Sequence, residues 1–153
     1  MRKICGNALS AIFAACLSAT SWMIGCPVLA LIVLTQPDGK PVWVNTEQVA
    51  AVHEAADPPK GGKAQLRISA ETFFTVREPA DEVAARVNLS VHFTLPDGSS
   101  LWINPQQVTG IGYPVAGTKG ANSELRMTES LRFYLLESPE EVGAAISPLL
   151  DKK

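Results

Sequence analysis

The chain is poor in cysteine: Cys5, Cys16 and Cys26 are the only three, and all lie in the first 26 of 153 residues. The rest can therefore form neither a disulfide framework nor a thiolate metal site. Clustered positive charge is absent too. No run of Lys or Arg exceeds the terminal Lys152-Lys153, and the region after residue 30 carries 11 basic against 15 acidic residues. Nucleic-acid binding needs a basic footprint to neutralise phosphates, so that class is set aside. Gly-x-Ser-x-Gly, His-Glu-x-x-His, Cys-x-x-Cys and the P-loop are all missing, which removes the common motif-borne hydrolase, metalloprotease, redox and nucleotide chemistries. No cofactor is expected.

Charge is also missing from residues 4–37, directly after Arg2-Lys3. A short positive start, an apolar run and small residues at Val28-Leu29-Ala30 match a secretory signal peptide cut after Ala30. Three other readings stay open. The run is long enough to serve as an uncleaved membrane anchor, since about 20 apolar residues span a bilayer. Met23-Ile24-Gly25-Cys26 resembles a lipobox, with Cys26 as the lipidated residue. Met23 as the true start would make the protein cytoplasmic. The expectation is an exported protein, periplasmic or secreted, that meets a membrane only through residues 1–30.

What is present is a repeat. Residues 32–87 laid over 91–146, an offset of 59, give 17 identities in 56 positions. Thr35-x-Pro37-Asp38-Gly39 returns as Thr94-x-Pro96-Asp97-Gly98, Trp43-Val44-Asn45 as Trp102-Ile103-Asn104, and Glu78…Glu82-Val83 as Glu137…Glu141-Val142. Self-similarity at a fixed period signals duplication of one unit. The expected division is residues 1–30 as signal or anchor, 31–88 as unit 1 and 90–150 as unit 2. Some 60 residues make a marginal domain. Two copies packed as an intramolecular pseudo-dimer, or a homo-oligomer, would relieve that.

Each unit opens with an apolar run, Leu31–Thr35 or Val91–Leu95, followed by Pro-Asp-Gly and by Val42-Trp43-Val44 or Leu101-Trp102-Ile103. Pro presets φ and Gly accepts positive φ, so the pattern predicts a hairpin. Alternation puts the tryptophans on the face opposite their aliphatic neighbours. Asn45 and Asn104 end the strand at a turn, and Val49–Glu54 or Val108–Tyr113 reads as a third strand. A Gly/Pro/Lys loop leads to a second hairpin, Gln65–Ser69 with Thr72–Arg77 and Glu124–Thr128 with Leu131–Leu136. A three-residue loop would bring Leu66 and Ile68 onto the face of Phe74 and Val76. A helix closes the unit: Ser138, Pro139 and Glu141 form a capping signal, with Val142, Ile146 and Leu150 at helical spacing. Pro79 replaces the capping Ser in the first copy. The fold class expected is α+β, two tandem units of antiparallel hairpins, each with one C-terminal helix.

Asp38-Gly39, Trp43-Val44-Asn45, Val76-Arg77-Glu78…Glu82-Val83 and their counterparts Asp97-Gly98, Trp102-Ile103-Asn104, Leu136-Glu137-Ser138…Glu141-Val142 form a pattern. It resembles the FlbD-like small flagellar and swarming-motility proteins of bacteria. The likeness covers residues 31–87 and 90–146. It implies the fold of each unit and carries no catalytic residue. Those proteins often turn their second hairpin on Asn-Gly, where this chain has Ala70-Glu71 and Glu129-Ser130.

The repeat also filters candidate chemistry. His53 corresponds to Gly112 and His92 to Val33, so the histidines share no repeated site. Lys60-Gly61-Gly62-Lys63 is read as a solvated turn. Glu78 and Glu137 have no capping role and are expected to pair with Arg67 and Arg126. The repeated Trp43 and Trp102 are left as candidates for a partner-binding aromatic platform, since Trp is enriched at binding hot spots. The reading is a non-enzymatic interaction module of the bacterial envelope whose unknown partner is a protein. The alternatives are a hydrolase or transferase using His53 or His92, and a membrane-anchored structural envelope protein.

Overall fold

A computed structural model describes residues 30–57, 59–116, 118 and 120–150. Residues 1–29, on which the expected export signal or anchor, the lipidated Cys26 and the alternative Met23 start rest, lie outside those residues. Among the described residues, no helix is long and apolar enough to cross a membrane.

The fold is α+β, with ten antiparallel strands and two helices among the described residues. In order these are β1 (Leu31–Thr35), β2 (Pro41–Asn45), β3 (Ala51–Glu54), β4 (Ala64–Arg67), β5 (Phe73–Val76), α1 (Ala80–Val87), β6 (Val91–Thr94), β7 (Ser100–Ile103), β8 (Val108–Gly112), β9 (Ser123–Met127), β10 (Arg132–Leu135) and α2 (Pro139–Leu150). Strands β1 and β2 form one sheet, β8, β9 and β10 another, and the third has the order β5-β4-β3-β7-β6.

Local chemistry explains most of the turns. Gly39 and Gly98 hold φ of 89° and 85°. The Asp38 and Asp97 carboxylates accept from the N–H two residues on, at 3.0 and 2.9 Å. Both carboxyls are held below the usual carboxylate range, Asp38 by the Lys40 N–H and Asp97 by the Ser99 hydroxyl first. After β2 and β7, Asn45 and Asn104 cap 3-10 turns at Thr46–Gln48 and Pro105–Gln107, each accepting the N–H two residues ahead. The first of these turns ends at Val49, so β3 starts at Ala51 rather than at Val49.

The two β4–β5 and β9–β10 turns differ. Leu66 faces Phe74 across a loop closed by Ile68 N–H to Thr72 O. The second turn has the same length, closed by Met127 N–H to Leu131 O, but adds Leu131 N–H to Thr128 O and holds Glu129 and Ser130 at φ of 56° and 59°.

Helix α1 buries Ala80, Val83, Ala84 and Val87, one stripe of a 3.6-residue period. Pro79 supplies no side-chain cap, whereas Asn88, at φ 64°, closes the C-terminus. Helix α2 opens on a reciprocal box: Ser138 N–H donates to Glu141 Oε2 at 2.8 Å, and Glu141 N–H to Ser138 Oγ at 3.4 Å. Val142 and Ile146 are buried, but Leu149 rather than the expected Leu150 reaches the core. Leu149 stands three positions past Ile146 and Leu150 four, and Pro148 between them lacks the N–H that would extend the ladder.

The core forms two clusters, and each borrows from the other half of the chain. Ala50 and Ala51 are buried among Phe93, Leu101, Leu125, Leu135 and Ile146. Trp102 packs on the cluster of Leu66, Val76, Ala80 and Val83. This interlock follows from β3 pairing with β7, Ala51 opposite Ile103, Val52 opposite Trp102 and His53 opposite Leu101.

Candidate functional site

The tryptophans occupy corresponding positions on β2 and β7, and their surroundings differ. Trp102 lies opposite Val52 on one side and His92 on the other, and is half-buried. The His92 ring is tilted against its indole at 5.1 Å. Trp102 also lines a cleft with Glu54, Lys63, Pro79, Ala80 and Asp81, where the N-terminus of α1 meets it. Trp43 is 61% exposed. It sits directly opposite Val33, 45% exposed, and Leu31 beside it is 53% exposed. These three make an apolar outer face on the two-stranded sheet, while Leu34 and Val44 on its inner face are buried.

The edges of that sheet also differ. The outer edge of β1 is fastened: Arg77 N–H donates to Thr35 O at 2.8 Å, and Arg86 donates to Val33 O. Thr35 N–H donates in turn to both Glu78 oxygens, at 2.9 and 3.1 Å. The same clasp recurs at Thr94, whose N–H donates to both Glu137 oxygens at 2.9 and 3.2 Å and whose carbonyl accepts from Leu136 N–H. Among the described residues, β2 pairs with β1 alone and β8 with β9 alone. Their counterparts β7 and β3 are joined to each other.

The clasp corrects the expected Glu78–Arg67 and Glu137–Arg126 ion pairs. Arg67 stacks on Phe73 at 4.7 Å and donates to Ala70 O, and Arg126 pairs with Glu124 at 2.9 Å. Each glutamate faces a backbone N–H 43 residues upstream, a partner that sequence spacing does not reveal.

Glu124 is a residue the sequence reading missed. It is fully buried; its Oε1 accepts from Arg126 and, at 3.4 Å, from Arg132, while Oε2 has no partner among the described residues. The available signal was the pair of arginines at 126 and 132, which register places opposite each other on β9 and β10.

The histidines project to opposite faces of the five-stranded sheet. His53 lies opposite Leu101, whereas His92 shares a ladder row with Trp102 and Val52, and successive residues alternate faces. The His53 ring meets Phe133 edge-on at 6.0 Å, with Nδ1 2.7 Å from the Glu54 carbonyl and Nε2 buried without a partner among the described residues. Burial pushes its pKa down, against a smaller upward pull from that carbonyl. Among the described residues, no three His, Cys, Asp or Glu side chains gather into a metal-holding group. The Lys60–Lys63 stretch is a turn in which Gly61 holds φ 92° and Gly62 N–H donates to Pro59 O.

Comparison with known proteins returns no matching family model, no similar curated protein and no similar solved structure.

Proposed function

We propose that the chain is a small non-enzymatic interaction module of the bacterial envelope, built from two tandem copies of one strand-rich unit and recognising a protein. The observation that carries this reading is the contrast between the tryptophans. Trp102 is half-buried against the other half of the chain, while Trp43 stands 61% exposed beside Val33 and next to a strand edge that is unpaired among the described residues. An exposed indole on an apolar face is a hot-spot arrangement, and an open edge offers backbone hydrogen bonds to an added strand. The duplication is supported by the Glu78 and Glu137 clasps, which span the same 43 residues, and by the Asn45 and Asn104 caps. The resemblance to the FlbD-like proteins is consistent with such a unit and supplies no activity. The rival is catalysis through His53 or His92, whose rings lie on opposite faces of the five-stranded sheet.

The test is affinity capture from envelope extract with the full chain, its Trp43→Ala variant and its His53→Ala/His92→Ala variant, with circular dichroism verifying each fold. The module reading expects one partner, retained by the histidine variant and lost at least tenfold with Trp43→Ala. Equal capture by the Trp43 variant, or an assayed activity that disappears with the histidines, would refute it.

A further inference from the structure

We propose that the partner of the Trp43 face is a second copy of this chain, whose β8 edge receives β2 in the register that β7 already uses on β3. This rests on the interaction-module reading and gives it an occupant.

The structure contains the template. Strands β3 and β7 pair antiparallel, and Asn104 N–H donates to the Ala50 carbonyl at the end of the seam. At the offset of 59 residues, β3 corresponds to β8 and β7 to β2. The seam therefore has an unmade counterpart: Val44 opposite Gly110, Trp43 opposite Ile111, Val42 opposite Gly112, and Asn45 N–H directed to the Thr109 carbonyl. Among the described residues both edges are unpaired. An edge left open by a protein that closes its equivalent is a place for another chain.

Exposed apolar groups mark both halves of this second seam. On the β2 side stand Trp43, Val33 and Leu31. Beyond the end of β8 stand Tyr113 and Val115, 72% and 63% exposed. The two sides correspond as the made seam requires. Trp102 rests in a cleft walled by Glu54, Pro79, Ala80 and Asp81. The residues 59 positions on are Tyr113, Ser138, Pro139 and Glu140, and the Tyr113 hydroxyl donates to Glu140 Oε1 at 2.9 Å, setting that wall in place. Trp43 is the indole that wall lacks.

Backbone space agrees. Gly110 and Gly112 occupy the positions of Ala51 and His53, and a Cβ built on either meets nothing within 4 Å. Glycine inside a strand often marks the close approach of another backbone. The edges are different surfaces, so one copy's β2 meets another's β8; two copies can close reciprocally through two such seams, or copies can run on head to tail.

The experiment uses the full chain with Cys5, Cys16 and Cys26 replaced by Ser in every variant. A Val42→Cys chain and a separately tagged Gly112→Cys chain are mixed and oxidised. Val42 and Gly112 face each other in the proposed register, at a separation a disulfide spans. The expected product is a mixed disulfide dimer carrying one of each chain, lost on adding Trp43→Glu to the Val42→Cys chain. Sedimentation of the uncrosslinked chain should show self-association that Trp43→Glu reduces at least tenfold.

A mixture that yields no mixed dimer would overturn the inference. So would a Val42→Cys/Gly112→Cys double variant that closes only within one chain. A chain that stays monomeric yet captures a different protein through Trp43 sinks the second-copy partner and leaves the module reading standing. If Trp43 affects neither self-association nor capture, both fail.

Discussion

Replacing Glu137 by Ala tests the clasp that ties the start of the C-terminal half to its end. The carboxylate accepts one N–H, that of Thr94, through both oxygens, in a half-buried setting. Hydrogen bonds to charged groups contribute about 1.5–3 kcal/mol net. Here one donor is shared between two acceptors and water has some access, so the low end applies, about 1.5–2 kcal/mol. Glu137→Gln keeps a neutral acceptor and should cost about half as much. For a folded region of this size a loss of 1 kcal/mol lowers Tm by roughly 3–5 °C, which places Glu137→Ala about 5–10 °C below the parent. Glu78→Ala removes the corresponding bond to Thr35 and should do the same. The two losses should add, because the sites share no partner. Thermal unfolding followed by circular dichroism measures this, with Glu71→Ala, an exposed carboxylate, as the control. The clasp reasoning fails if both variants melt with the control, within about 0.5 kcal/mol of the parent.

Four further outcomes are expected. Ser138→Ala breaks the box with Glu141 and should cost about 1 kcal/mol in urea unfolding, while Pro79→Ala, which removes no side-chain cap bond, should not match that loss. Replacing Glu129-Ser130 by Asn-Gly should add about 1 kcal/mol: left-handed backbone costs an L residue about 1–2 kcal/mol, partly offset by glycine's unfolded-state freedom. A loss there would contradict the φ of 56° and 59°. Burial holds the His53 pKa below its ordinary value, so the unfolded chain takes up the proton first. Stability should then be full above about pH 6.5 and fall as the pH drops through the folded value. His53→Gln should flatten that decline between pH 7 and 5, and an unchanged slope would point to another group. Trp102→Ala should cost about 2–3 kcal/mol, the half-buried share of a core aromatic, whereas Trp43→Ala in dilute solution should stay within about 0.5 kcal/mol.

What can be read in the sequence here is what acts over short distances. Pro-Asp-Gly makes its turn, Asn45 and Asn104 accept the N–H two residues on, and Ser138 meets Glu141, all within a few residues of chain. The α+β class follows from the same signals. Long-range choices are hidden. Nothing in the composition of Glu78 says that its partner is the Thr35 N–H, and an arginine kept at the same offset is the natural but mistaken guess. The period describes what the two halves of the sequence have in common, so it cannot show where they differ. Trp43 and Trp102 are identical letters in matching motifs, and the pairing of β7 with β3 packs one of them, half-buried, against the core while the other stays at the surface. Glu124 escapes for a related reason: its burial depends on arginines of two neighbouring strands.

The seam between β3 and β7 also sets an order in time. Strand β3 leaves the ribosome about fifty residues before the strand that completes its sheet. At roughly 5–20 residues per second, its edge waits for some seconds with β4 on one side only. During that interval the nascent N-terminal half presents the alanines at 50 and 51 uncovered, and a neighbouring nascent chain can offer the same β7 that its own chain has yet to make. The position of this one pairing late in the chain thus makes synthesis rate and ribosome spacing determinants of whether the strand finds its own β7 or a neighbour's.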